Sequence, residues 1–179
     1  MEYVHELRIP KNRIAVVIGK NGKTKKELEE YSNTNINVDS KEGVISVKGK
    51  DAVKLFFSKE MIKAIGRGFS PEVAKQLLKQ DYSMEIISLN DFSDKKKQLE
   101  RVRGRVIGKK GKSREIIEKL TETNISIYGK TISIIGRSEN VGIARNSVEM
   151  LLDGATHSSV YKKLESFRRQ MKMQEMTKI

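Results

Sequence analysis

The stretch Val17-Ile18-Gly19-Lys20-Asn21-Gly22-Lys23-Thr24 occurs again as Val106-Ile107-Gly108-Lys109-Lys110-Gly111-Lys112-Ser113. The match continues without a gap, Glu29 onto Glu118 and Thr34-Asn35-Ile36 onto Thr123-Asn124-Ile125. After a hairpin two residues shorter, Ile45-Ser46 aligns with Ile132-Ser133 and Gly49 with Gly136. A match of this length marks an internal duplication, and a duplication governs every later assignment. The chain holds two copies of one module.

Working outward, Tyr3 to Ile9 alternates apolar and polar side chains closely enough to predict a strand, with Met84 to Leu89 as its counterpart. Short helices are expected over 12–18 and 98–107. The glycine loop interrupts each one, and second helices follow over 23–32 and 112–121. Two strands come next in each copy, 36–39 with 44–48 and 125–128 with 131–135. Lys41-Glu42-Gly43 and Gly129-Lys130 read as their hairpin turns, glycine supplying positive φ. A longer helix closes each copy. Val53, Phe56, Phe57, Met61 and Ile65 share one face in the first, as do Val141, Ala144, Val148, Leu151 and Leu152 in the second. The order is β-α-α-β-β-α twice, an α+β chain.

Gly66-Arg67-Gly68-Phe69 breaks the first long helix. Ser70 as N-cap and Pro71 in the first turn then start another, read as a rigid connector over about 71–79. Val160 to Met176 reads as a basic helix carrying Lys162, Lys163, Arg168, Arg169 and Lys172. The expected divisions are a first domain at 1–69, a connecting helix at 70–80, a second domain at 81–156 and a basic helical tail at 157–179.

The charge balance points to a partner. Against 23 Asp and Glu stand 36 Lys and Arg, a formal charge of +13. Such a chain repels itself and attracts polyanions, so nucleic acid is the first partner to consider. The chain has no cysteine, which excludes disulfides, a zinc knuckle and a thiol nucleophile. The first ten residues carry Glu2, His5, Glu6 and Arg8 and do not resemble a signal peptide. No apolar run approaches the roughly 20 residues that cross a bilayer. A cytoplasmic protein without a membrane partner is expected.

The repeated loop carries chemistry of its own. A helix that begins just after a tight glycine loop presents unpaired backbone N–H groups and its positive dipole end. That arrangement attracts phosphate without a dedicated side chain. Gly19, Gly22, Gly108 and Gly111 allow unusual φ and close approach. Lys20, Asn21, Lys23, Lys109, Lys110 and Lys112 surround the two loops with charge and hydrogen-bonding groups. Arg105, sharing a helical face with Arg101, and Arg114 add to the second, making it the more basic site. Ile36 and Ile125 are expected to floor a groove for the bases.

Other signals lead nowhere. Gly22-Lys23-Thr24 and Gly111-Lys112-Ser113 imitate the end of a nucleotide-binding P-loop, but Val17 and Val106 stand where that motif needs glycine. His5 and His157 are isolated, and no nucleophile–base pair or carboxylate cluster stands out. No enzyme activity, cofactor or metal is expected.

The paired Ile-Gly-Lys-x-Gly-Lys motifs, at 18–23 and 107–112, resemble KH domains, whose Gly-x-x-Gly loop clamps the backbone of about four nucleotides beside a narrow base groove. The resemblance implies two tandem type I KH domains. In many KH domains the third residue after the second glycine is apolar, whereas here it is Lys25 and Arg114. Two further stretches, 65–72 (Ile-Gly-Arg-Gly-Phe-Ser-Pro-Glu) and 151–161 (Leu-Leu-Asp-Gly-Ala-Thr-His-Ser-Ser-Val-Tyr), are similar to the archaeal branch of the Dim-two (partner-of-Nob) family. That likeness implies a ribosome-assembly role on single-stranded RNA at the 3′ end of small-subunit ribosomal RNA. It also implies contact with the Nob-type endonuclease and with the alpha subunit of initiation factor two. A KH-type exosome or messenger-RNA factor, or a protein-interaction scaffold without RNA, are the competing readings.

Overall fold

A computed structural model describes residues 1–178 and divides the chain into two compact units, Met1–Met84 and Glu85–Ile179. The first unit opens with strand β1 (Tyr3–Arg8), followed by helices α1 (Lys11–Ile18) and α2 (Lys23–Ser32) around the first glycine loop. Strands β2 (Asn35–Asp39) and β3 (Val44–Gly49) and the long helix α3 (Ala52–Gly66) complete the predicted order. The sheet is antiparallel with β3 in the centre, in the order β1-β3-β2. Asp39 faces Val44 across the hairpin, and its carboxylate accepts from the N–H groups of Lys41 and Glu42.

The second unit repeats this plan with β4 (Tyr82–Ser88), α5 (Lys96–Ile107), α6 (Lys112–Thr121), β5 (Asn124–Tyr128), β6 (Thr131–Arg137) and α7 (Ser138–Leu152). Helix α4 (Pro71–Ala74) comes after α3 in the first unit, and α8 (His157–Thr177) comes after α7 in the second. The sheet order is β4-β6-β5, and Gly129 at φ 56° turns the two-residue hairpin between Tyr128 and Thr131. The α+β class and the twofold β-α-α-β-β-α order are as expected.

Periodicity accounts for the cores. In α3, Leu55, Ser58, Met61, Ile62 and Ile65 are buried, and in α7 the aligned Val141, Ala144, Ser147, Val148 and Leu151 are buried too. Spacings of three and four put each set on one face, against a sheet that contributes Ile36, Ile45 and Val47 or Ile125, Ile132 and Ile134. Two residues assigned to the α3 stripe from sequence fall outside it. Val53 and Phe56 are 61% and 51% exposed, because the buried face runs through Leu55 and Ile62 instead.

The duplication extends further than the sequence match. After α3 the chain turns at Gly68 (φ 99°), whose N–H donates to Ile65 O, and after α7 it turns at Gly154 (φ 101°), whose N–H donates to Leu151 O. Each turn leads to a capped helix start, Ser70 Oγ accepting from Val73 N–H and Thr156 Oγ1 from Ser159 N–H. Helix α4 and the 3-10 turn after it, Lys75–Leu78, pack on α3 and α2, burying Ala74 and Leu77. Helix α8 packs on α7 and α6, burying Val160 and Leu164. The segment read as a connector and the start of the basic tail are thus one repeated element, a strap across the two helices of its own unit.

Candidate nucleic-acid interface

Each Gly-x-x-Gly segment is a single tight turn held between two helices. Gly19 (φ 71°, ψ 178°) ends α1 with its N–H donating to Ala15 O at 2.9 Å. Asn21 (52°, 30°) and Gly22 (72°, 12°) are both left-handed, and Gly22 N–H closes the turn on Gly19 O at 3.3 Å. The second loop has nearly the same angles at Gly108 (72°, 175°), Lys110 (54°, 31°) and Gly111 (74°, 8°). Its N–H contacts are Gly108 to Gly104 O at 2.8 Å and Gly111 to Gly108 O at 3.2 Å.

The two glycines of a loop are required for different reasons. A Cβ on Gly19 would lie 2.1 Å from Thr24 Oγ1, and one on Gly108 would lie 2.5 Å from Ser113 Cβ. The first glycine lets the second helix start against the end of the first. At Gly22 and Gly111 a Cβ would meet nothing within 4 Å. There the left-handed angle calls for glycine, and the space beside it stays open to a ligand. No side chain caps α2 or α6, so their first-turn amides remain available to an anion.

The polar side chains of the loops sort into two groups. Lys20, Asn21, Lys109, Lys110 and Lys112 are exposed around the loops, and Lys23, 81% exposed, lies 4.0 Å from Glu27. Lys25 and Arg114 instead reach along their helices to Glu29 and Glu118, each at 3.9 Å. At the position where many KH domains are apolar, this chain pairs a cation with a carboxylate one turn on. Arg114 therefore contributes less to the outer face than its charge suggests.

Arg105, assigned from sequence to the phosphate-facing set, spends two of its donors inside its own unit. Its Nε donates to Leu151 O at 3.0 Å and its Nη2 to Ala155 O, closing the end of α7. The sequence reading missed this because the acceptors lie 46 and 50 residues away. Arg101 does share its face, in a cleft of about 580 Å³ with Asp91, Phe92 and Asp153.

The groove floor also needs correction. Ile36 is fully buried and Ile125 is 5% exposed, so both side chains belong to the cores. What their strands offer is an edge, since β2 and β5 each lie at the border of a sheet. The edge is held close to the preceding helix by a carboxylate: Glu29 Oε1 accepts from Ile36 N–H and Glu118 Oε1 from Ile125 N–H, both at 2.7 Å. The sequence match had aligned these two glutamates without revealing their task.

Val17 and Val106, at the positions where a P-loop needs glycine, are fully buried. Among the described residues no cluster of acidic or histidine side chains could hold a metal ion, and no helix is long and apolar enough to cross a membrane. His157 Nε2 lies 2.8 Å from Arg105 O, beside the α7–α8 turn.

Comparison with known proteins agrees with this geometry. Residues 4–64 match a KH domain family, and residues 83–169 match the second PNO1 KH domain, described as a eukaryotic-type (type I) KH domain. A KH domain-containing protein of Methanocaldococcus jannaschii is 42% identical over 93% of this chain and 74% of its own length. The crystal structure of an a/eIF2alpha–aDim2p–rRNA complex from Pyrococcus horikoshii contains a chain 41% identical to this one. The match covers 95% of this chain and 96% of that one, with a TM-score of 0.88.

The chain belongs to the archaeal Dim2/PNO1 family of double-KH-domain proteins.

Dim2/PNO1 proteins are non-catalytic, KH-type RNA-binding proteins of pre-rRNA processing. The pre-rRNA-processing protein PNO1 of Chaetomium thermophilum is 36% identical over 63% of this chain. This chain spans 45% of that protein's length.

Proposed function

We propose that this Dim2/PNO1 chain holds single-stranded RNA through its two glycine loops, as a small-subunit ribosome assembly factor acting in the cytoplasm on the 3′ end region of 16S rRNA. The observation that carries the reading is the duplicated loop itself. Each copy combines an open second glycine, an uncapped helix start and exposed lysines, which together suit a phosphate backbone. The similarity to aDim2p, solved as a complex with rRNA and a/eIF2alpha, supports ribosomal RNA as the ligand and the initiation factor's alpha subunit as a partner. A Nob-type endonuclease is proposed as a further partner on family likeness alone.

The RNA-facing residues proposed are Gly19, Lys20, Asn21, Gly22 and Lys23 in the first loop and Gly108, Lys109, Lys110, Gly111 and Lys112 in the second, with Arg114 at its margin. Fluorescence anisotropy with an oligonucleotide matching the small-subunit rRNA 3′ end, against a scrambled control, tests this. Lys109→Asp/Lys110→Asp should abolish preferential binding, and Lys20→Asp/Asn21→Asp should weaken it less. Equal binding by both variants and the unaltered protein would overturn the assignment.

A further inference from the structure

The strap of the second unit outgrows that of the first. Helix α8 fully buries only Val160 and Leu164, yet it runs on to Thr177, whereas the strap of the first unit ends at Leu78. An ion pair of 2.8 Å between Arg168 and Glu122, at the end of α6, ties the added length down on one side. Between it and α7 space remains. Ile143 of α7 and the half-buried Phe167 of α8 line two adjoining cavities at once. One, of about 440 Å³, lies towards Lys163 and Leu164. The other, of about 220 Å³, lies towards Asn140 and Met171. Together they form a groove between the two helices. From Lys163 to Lys178 it follows α8 for about 22 Å at the helical rise per residue. That length spans about six or seven residues of extended chain.

Asn140 is 1% exposed and lines the smaller cavity, and neither its Oδ1 nor its Nδ2 has a hydrogen-bond partner. A buried amide left unpaired lowers stability. The packing of the module does not demand one there, because the aligned position of α3 holds Lys54, an exposed side chain. Around the smaller cavity the charges balance, Arg137 and Lys178 against Glu139 and Glu175. Lys163 is the one charged residue lining the larger cavity.

We propose that the α7–α8 groove holds an extended peptide segment of a partner protein. Its backbone pairs with the Asn140 amide, an apolar side chain enters the larger cavity, and a carboxylate lies beside Lys163. The groove shares no lining residue with the second glycine loop, so the proposal stands apart from the RNA-binding reading. A primary amide offers a donor and an acceptor side by side, which matches the C=O and N–H of an extended chain. A helix pairs those groups internally and would leave Asn140 as it is. A nucleic-acid strand draws its affinity from cations, and the balanced charge beside Asn140 gives it none to spare. Main-chain bonds for affinity and side-chain pockets for specificity are a recurring way to hold an extended peptide.

The first test needs no ligand. Asn140→Leu keeps the branched shape of the side chain and removes both polar groups. With the amide kept for a partner, the Tm of the free protein should rise by roughly 2–4 °C. A fall would mean that the amide is already satisfied in the free protein, by a buried water for instance, and would overturn the proposal.

The second test selects a displayed library of random ten-residue peptides on the whole protein. Enriched sequences should share an apolar residue and an Asp or Glu at fixed spacing. A synthetic peptide of that sequence should bind Asn140→Leu at least about tenfold more weakly than the unaltered protein. Lys163→Glu should also weaken it, and Lys109→Asp/Lys110→Asp should bind it unchanged. No enriched sequence, or binding that survives Asn140→Leu, overturns the proposal. Loss of the rRNA 3′-end oligonucleotide in Asn140→Leu would give the groove to RNA instead. A concentration-dependent dimer that Asn140→Leu abolishes would give it to a second copy of this chain, and either result overturns the peptide assignment.

Discussion

Arg13 and Arg105 sit three residues apart in the aligned repeat, yet each guanidinium bridges the equivalent pair of carbonyls in its own unit. Arg13 donates from Nε to Ile65 O and from Nη2 to Phe69 O, both at 2.8 Å. Arg105 makes the same two bonds to Leu151 and Ala155. These acceptors lie where the long helix ends and the chain turns to the strap, and Ile65 O and Leu151 O accept from the N–H of the turn glycine as well as from the arginine. The two copies have retained the interaction while moving the residue that provides it.

Arg105→Ala should therefore lower stability by at least about 1.5–3 kcal/mol, the range for a single hydrogen bond to a charged group. The salt dependence of RNA binding should stay the same. Urea denaturation and an anisotropy salt series check the two halves. A salt slope that falls by a full phosphate contact would return Arg105 to the interface.

Lys109→Ala/Lys110→Ala should behave in the opposite way. Stability should change by no more than about 0.5 kcal/mol, as for exposed side chains without special packing. If five to eight phosphates are neutralised, log K should fall against log salt with a slope of about −3.5 to −5.6. The double variant should make that slope shallower by about 1.4, or 0.7 for each lost contact.

The glycines of one loop should respond unequally to alanine. Gly22→Ala and Gly111→Ala introduce left-handed strain of about 1–2 kcal/mol into open space. Gly19→Ala and Gly108→Ala add a collision with Thr24 or Ser113, costing about 1–3 kcal/mol more. Thermal denaturation should rank the first glycine of each loop as the costlier change.

Burial pushes the Glu118 carboxyl above its usual range, and the Glu115 charge adds to the rise. The hydrogen bond from Ile125 N–H and the Arg114 charge pull it back in part. A carboxyl that holds its proton more tightly when folded contributes stability that is full below the unfolded value near 4.5 and is lost as pH rises through the folded one. Glu118→Gln keeps an oxygen for Ile125 N–H, so it should flatten stability between pH 4.5 and neutrality. Glu118→Ala leaves that N–H without an acceptor and should cost about 1–3 kcal/mol. Denaturation midpoints of both variants across the pH range check this.

The repeat, the order of elements and the position of both glycine loops were legible in the sequence, because those signals are local. Glycines at fixed spacing, alternation in strands and apolar faces in helices depend on near neighbours alone. The task of Arg105 was not legible, since a guanidinium beside a basic loop reads the same whether it faces solvent or two distant carbonyls. Ile36 and Ile125 were misplaced for a related reason: alternation identifies two faces of an edge strand without saying which one meets the core. Ser70-Pro71 and Thr156-His157 share little beyond a capping hydroxyl, so the straps became recognisable as copies only through what they cover.

The straps also set a timetable. Each unit buries its last core side chains well after its long helix has ended, Leu77 in the first and Leu164 in the second. At about 5–20 residues per second of synthesis, those two positions emerge roughly 4–17 s apart. During that interval the first unit has all its covering residues while the second is still being made. If each unit folds as it is completed, as domains generally do during synthesis, the nascent protein passes through a stage with one finished glycine loop and the other still waiting for its lid.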